Sequence, residues 1–303
     1  MKNQLVLSIV VCTGSLISIA QTVAPPVGTE PETHSCSLLV GSELQTGDTE
    51  DFALLTAYNF QAHLIRSLHM EAMMQVKAGK EYGIGDQPIG VPVVIDSAEP
   101  NLMRMSIKLP TPGAHGIEMS SDGGAFSLLL PDHGRNVLLI GPLDAAPQSE
   151  NPLLNLRPQP LMDALRWQGV TSSSEKASRT GTVFGIRKLA VTLPTSPMGP
   201  STADIEFDVS SGLVKSVATY DSVGRTVSEV RYSDWEPIKE AQGRVVCFPR
   251  HLELARPLQD YEIALHILQI ELNGEIPRSY FHRGVPGGTT VIHLNQSGNT
   301  GKR

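Results

Sequence analysis

Four stretches of this chain alternate between apolar and wetter positions. Leu68, Met70, Ala72, Met74 and Val76 alternate with His69, Glu71, Met73 and Gln75. Met103, Met105, Ile107 and Leu109 alternate with Arg104, Ser106 and Lys108, and Phe126, Leu128 and Leu130 and then Ile205, Phe207 and Val209 repeat the pattern. Successive side chains of a strand point to opposite faces, so each stretch predicts a strand with one oily face. Strands of this kind separated by turns build an antiparallel sheet with one face covered.

The remaining elements follow from the same pattern. Asp48 or Thr49 caps a predicted helix with Glu50 and Asp51 in its first turn, and Phe52, Leu55, Tyr58, Ala62 and Ile65 form a stripe at helical spacing. Near Ser67 the period changes from helical to two. Further strands are predicted at Val91–Asp96, Ile117–Met119 and Val137–Ile140. The glycine-rich 77–90, the Pro110–Gly116 turn and Ser121-Asp122-Gly123-Gly124 are read as connections. Arg157-Pro158-Gln159-Pro160 opens a second helix through Leu161–Trp167, since proline is tolerated in a first helical turn. After the polar 172–182, read as flexible, strands are predicted at Val183–Leu193, Asp204–Val209, Val214–Tyr220, Arg225–Tyr232, Arg244–Leu254 and Tyr261–Leu272. The last is apolar on both sides, which predicts a place inside the sheet. The fold class is therefore mainly antiparallel β with a few helices (α+β). It has about ten strands, a number at which a sheet curls or closes.

Composition narrows the function. Net charge is −7, from 24 Lys+Arg against 31 Asp+Glu, which disfavours nucleic acid as a partner. Aromatics are only 5%, too few for a base-stacking platform. Lys2, the apolar run Leu5–Val11 with Leu16–Ala20, and the small residues before Gln21 read as a signal peptide over 1–20. A retained anchor is the rival reading, against which Thr13, Gly14 and Ser15 interrupt a run already short for a span. Residues 21–48 read as a flexible segment, 49–283 as a single domain and 284–303 as a flexible tail. Export implies a periplasmic or secreted location. There Cys36 and Cys247 are candidates for a disulfide, with two buried thiols as the alternative.

The order of elements resembles the LolA/LolB-like periplasmic lipoprotein-carrier superfamily, in an uncharacterised branch. Ser67-Leu68-His69-Met70-Glu71-Ala72 follows the first helix as that family's opening strand does, and Glu99-Pro100-Asn101-Leu102-Met103-Arg104 matches its proline-centred approach to a strand. Ser121-Asp122-Gly123 followed by Leu129-Leu130-Pro131 matches its hairpin, and Asn151–Pro158 resembles the segment leading to its middle helix. Asp204–Tyr220, Tyr232-Ser233-Asp234-Trp235 and Pro249-Arg250-His251-Leu252 echo its closing meander. The resemblance implies a curved half-barrel roofed by helices, holding lipid or lipoprotein acyl chains between them, without catalysis, cofactor or metal. It places Met70, Ala72, Met74, Met103, Met105, Ile107, Met119, Phe126, Leu128 and Phe207 on the cavity side. Leu161 and Leu165 fall in the lid. Flexible, polarisable methionine suits a surface that repacks around varied chains; plain protein core is the competing account of the same residues. One departure stands out. Where carriers of this family have an arginine before the strand-entry proline that helps hold the lid, this chain has Glu99.

The sequence contains no His-Glu-x-x-His helix, Cys-x-x-Cys pair, Gly-x-Ser-x-Gly elbow or phosphate loop. Asp204, Glu206 and Asp208 could face a cation, but a solvated acidic face is the ordinary reading. Arg104 is expected to face solvent. The functional expectation is a carrier or binding protein for an apolar ligand. The alternative is an envelope sensor or interaction module that binds a protein partner such as an envelope membrane protein.

Overall fold

The computed structural model describes residues 36–37, 48–78, 90–107, 116–132, 135–143, 152–167, 169–170, 178–183, 185–193, 202–282 and 284–294. The chain divides into two units, Met1–His34 and Ser35–Arg303, and every described residue lies in the second. The expected signal peptide, most of the 77–90 and 110–116 connections and the end of the tail fall outside the described residues.

Helix α1 (Asp48–Leu64) leads into β1 (Ser67–Ala78), β2 (Val91–Ala98), β3 (Leu102–Ile107), β4 (Ile117–Asp122), β5 (Ala125–Asp132) and β6 (Arg135–Pro142). A short 3₁₀ turn (Pro152–Asn155) and α2 (Pro158–Leu165) interrupt the strands. The second run comprises β7 (Ser178–Val183), β8 (Ile186–Thr192), β9 (Thr202–Asp208), β10 (Val214–Tyr220), β11 (Thr226–Lys239), β12 (Val245–Arg256) and β13 (Tyr261–Leu272), and β14 (Thr289–His293) follows. All fourteen strands form one open, curved sheet in the order β14-β6-β5-β4-β3-β2-β1-β13-β12-β11-β10-β9-β8-β7. Each run is thus a meander of neighbours, and the two runs are joined by the antiparallel pairing of β1 with β13. Among the described strands only β14 and β6 run parallel.

The two-residue alternation decides the faces. Leu68, Met70, Ala72 and Met74 are buried beneath the helices while Glu71 is exposed, and β9 buries Ala203, Ile205 and Phe207. Burying side chains of this size stabilises by roughly 1.5–3 kcal/mol each, so the register is strongly set, because a one-residue slip would turn every one of them to water.

Three expectations are corrected. The α1 stripe holds at Tyr58, Ala62 and Ile65, with Leu55 partly buried against the core, but Leu54 is buried with them and Phe52 is 70% exposed. Phe52 lies about 100° round the helix from Asp51, and Asp51 is held to the sheet by Arg187 of β8, whose Nε donates to Asp51 Oδ1 at 2.8 Å and whose Nη2 donates to Glu50 at 3.1 Å. The segment read as flexible contains β7, which pairs with β8; its backbone hydrogen bonds do not need apolar side chains. The tail contains β14, where the β-branched run Thr289–Ile292 favours a strand. The expected place of β13 inside the sheet is observed, and Leu268 on its outer face is 52% exposed.

The seam between the two runs is tied by Asn273, whose φ of 58° lets the chain turn at the end of β13. Its Oδ1 accepts the Arg66 N–H at 2.8 Å. Its Nδ2 donates to the Leu64 carbonyl at 2.7 Å and to the buried Glu240 carboxylate. The end of α1, the start of β1, the β11–β12 hairpin and the end of β13 therefore meet on one amide. After that point the chain crosses the outer face of the first run. There Phe281 is buried against β3 and β4, and Tyr280 Oη donates to Asp96 Oδ2 at 3.0 Å. The far oxygen of Asp96 meets His69 Nδ1 at 2.7 Å.

Candidate functional site between the helices and the sheet

All ten cavity-side candidates come together in one apolar cluster with both lid candidates, Leu161 and Leu165. Met70, Ala72 and Met74 come from β1, Met103, Met105 and Ile107 from β3, Met119 from β4, Phe126 and Leu128 from β5, and Phe207 from β9. None of the twelve is more than 4% exposed. Cross-strand pairing stacks the thioethers: Met105 faces Met119 on one side and Ile95 on the other, and Ile95 faces Met70. The space beneath the helices is therefore occupied by protein side chains in this state.

Helix α2 is pinned at both ends. At its start the buried Arg157 guanidinium lies over the Phe126 ring at 4.8 Å and its Nη1 donates to the Leu154 and Leu156 carbonyls at 2.8 and 2.9 Å. Burial lowers this arginine to about 10. At its end Tyr232 Oη donates to the Ala164 carbonyl at 3.1 Å. Trp167 sits among Tyr58, Tyr232 and Trp235, at ring separations of 6.2, 5.6 and 5.5 Å. Burial holds the Tyr58 and Tyr232 phenols above their ordinary range. Between these pins α2 has five buried positions, Pro158, Leu161, Met162, Ala164 and Leu165.

A cleft of about 450 Å³ opens where α2 ends, between the last turn of α1 and the β2–β3 turn. Ala62, Ile65, Met162 and Trp167 supply an apolar floor, and His63, Glu99, Asp163 and Arg166 a polar rim. The Arg166 Nε is buried without a hydrogen-bond partner. Burial lowers this guanidinium, and the nearby carboxylates of Glu99 and Asp163 partly offset that. Glu99, across the cleft from α2, thus takes part in the rim with a charge opposite to that of Arg166. None of the ten cavity-side candidates lines this cleft. The sequence reading missed Arg166, Met162 and Trp167; the available signal was a charged–aromatic pair directly after the apolar face of α2.

Elsewhere the polar candidates have structural partners. Lys188 reaches Asp204 at 2.8 Å, Tyr220 Oη donates to Asp204 at 2.9 Å, and Ser216 Oγ donates to Glu206 at 2.9 Å. Asp208 accepts the Ser210 hydroxyl and the Ser211 N–H, closing the β9–β10 turn. Among the described residues no three His, Cys, Asp or Glu side chains converge as a metal site. Arg104 does not simply face solvent: it stacks on Tyr280 at 4.6 Å and approaches Glu118 at 3.6 Å. Cys36 and Cys247 lie side by side on the face away from the helices.

No family model and no curated protein matches this chain. Among solved structures it is similar to a LolA superfamily protein from Nitrosomonas europaea, at 12% identity and a TM-score of 0.48, covering 76% of this chain and 97% of that one. It is also similar to a DUF1329 family protein from Desulfovibrio piger, at 14% identity and a TM-score of 0.47, covering 75% and 94%. A domain described as an outer membrane lipoprotein-sorting protein, from Vibrio parahaemolyticus, gives 11% identity and a TM-score of 0.45, covering 75% and 95%.

Proposed function

We propose that this chain is an exported, non-catalytic carrier or binding protein whose guest is an acyl chain or another apolar group. The guest is held between sheet and helices after α2 is displaced. The observation that carries this reading is the make-up of the interior. Five methionines, Met70, Met74, Met103, Met105 and Met119, lie buried in one cluster with Leu161, Met162 and Leu165 of the eight-residue helix α2.

Magnitudes support exchange rather than permanent closure. Lifting Leu161, Met162 and Leu165 from the sheet costs about 5–9 kcal/mol at 1.5–3 kcal/mol each. A guest burying about ten methylenes returns about 8 kcal/mol at 0.8 kcal/mol per CH₂. The two nearly cancel, which suits a protein that must both accept and release its cargo. Unbranched methionines can repack around the guest with little strain.

Native mass spectrometry of protein recovered through an export route, followed by lipid extraction, tests the proposal. Bound lipid, or uptake of a fluorescent fatty acid, is the expected result. Protein that is empty and also takes up no probe sinks the carrier reading.

One observation favours the second reading, an interaction module that binds an envelope protein partner. Phe52 and Phe60 are 70% and 63% exposed, two helical turns apart on the outer side of α1. A partner captured by the native chain and lost with Phe52→Ser and Phe60→Ser, in protein that takes up no lipid, would transfer the conclusion to that reading.

A further inference from the structure

We infer that Cys36 and Cys247 form an intramolecular disulfide that fastens the segment ahead of α1 to the outer face of the sheet. The argument starts from β12. Val246 and Phe248 are each 1% exposed in the cluster beneath the helices, so Cys247 between them points to the opposite face. That face is largely wet, yet Cys247 is only 9% exposed. Residues 36–37 cover it. Ser37 Oγ donates to the Ser211 carbonyl at 3.3 Å in the β9–β10 turn, and the Ser37 N–H is directed at the Cys247 sulfur. The Cys36 thiol is in hydrogen-bond contact with the Cys247 thiol. Two thiols far apart in the chain are thus brought together on a docked segment. The third cysteine, Cys12, lies in the expected signal peptide.

The chemistry balances with one external partner. Two S–H bonds break and one S–S bond forms. The two electrons and two protons pass to a disulfide oxidant, either a disulfide-bonded oxidoreductase or oxidised glutathione, whose own S–S becomes two thiols. Burial pushes both thiols up, Cys36 strongly. Thiols held protonated are poor nucleophiles, so the bond closes while the chain is still folding. Once closed, the same burial shields it from reductants.

Formation in the cell rests on the exported reading of the protein, so the experiment has two arms. In the first, purified full-length chain is unfolded, refolded in a glutathione redox buffer, denatured without reductant and alkylated. The expected result is a joined peptide pair containing Cys36 and Cys247, lighter than the reduced pair by two hydrogens. Alkylation of both cysteines, or a disulfide-linked dimer on a non-reducing gel, overturns the inference. In the second arm the protein is recovered through an export route. A bridge in the first arm with free thiols in the second contradicts the exported reading and leaves the pairing intact. Cys36→Ser lowers the thermal midpoint by several degrees. Cys247→Ser lowers it equally and the double variant no further, whereas additive losses would mark two independently packed thiols. If Cys247→Ser fails to fold, Cys36→Ser alone decides: an unchanged midpoint overturns the inference.

Discussion

The two halves of the sheet bury different chemistry under the same roof. The strands β1–β6 carry all five of the inward methionines, with Leu68, Ile95 and Leu128 between them. The strands β8–β13 bury no methionine; their interior is Phe207, Tyr232, Phe248 and a bank of leucine, isoleucine and valine. The outer faces differ in the opposite sense. The first half is strapped by the segment carrying Tyr280 and Phe281, whereas the second half presents a mixed-charge surface of Lys188, Asp204, Glu206, Lys215, Glu229 and Arg231. The soft interior thus lies under the strapped face, and the stiff interior under the charged one. On the proposed carrier reading, the strap would keep the strand order of the first half while its interior admits a guest.

The comparison breaks most readily at its largest expected effect. Phe207→Ala, which removes a fully buried ring that meets Tyr58 edge-on at 6.3 Å, is expected to cost about 4 kcal/mol. Met105→Ala is expected near the low end for a buried side chain, about 2 kcal/mol, because flexible neighbours close the gap. Urea unfolding of both variants measures the contrast, and equal losses would remove the distinction between the halves. At the seam, Asn273→Ala leaves the Arg66 N–H, the Leu64 carbonyl and the Glu240 carboxylate short of a partner. The expected loss is about 3 kcal/mol by chemical denaturation. A loss below about 1 kcal/mol would mean that the halves are held by β1–β13 pairing alone.

A sharper test replaces Met70, Met103 and Met105 together by leucine. Volume is conserved, so stability changes by less than about 1.5 kcal/mol per site, while uptake of a fluorescent fatty acid falls several-fold. Undiminished uptake would show that sulfur chemistry is irrelevant to the guest.

The smallest effect is acid sensitivity. The Ala125 N–H holds Asp122 below the usual carboxylate range, and the Ser210 hydroxyl does so for Asp208. A carboxylate depressed in the folded state adds stability that is complete above its unfolded value, about 4, and lost as pH falls through its folded value. Stability should therefore decline below about pH 4. Asp122→Asn and Asp208→Asn, one turn from each half, should each flatten that decline by a similar amount in an acid titration followed by circular dichroism. A marked difference between them would locate the acid-sensitive half.

The strands were legible because alternation is local: Met103-Arg104-Met105-Ser106-Ile107 states its own geometry. The exposure of Phe52 in the first turn of α1 was not, because it depends on Arg187, more than a hundred residues away, taking hold of Glu50 and Asp51. Nor was β14, whose place follows from an open edge on β6 rather than from its own five residues. The inward candidates lie together in one buried cluster, but alternation says only which way a side chain points. Whether it meets protein or empty space is a matter of three-dimensional fit, so the cleft beside Arg166 and Trp167 escaped notice.

The pairing of β1 with β13 has a consequence for how the molecule is made. A strand near the front of the domain finds its partner only when almost the whole domain has emerged from the ribosome. Contacts so distant in sequence assemble slowly. Until then β1 offers an unsatisfied edge to any neighbouring chain. The seam is therefore where a holding chaperone would do most to keep the two halves apart.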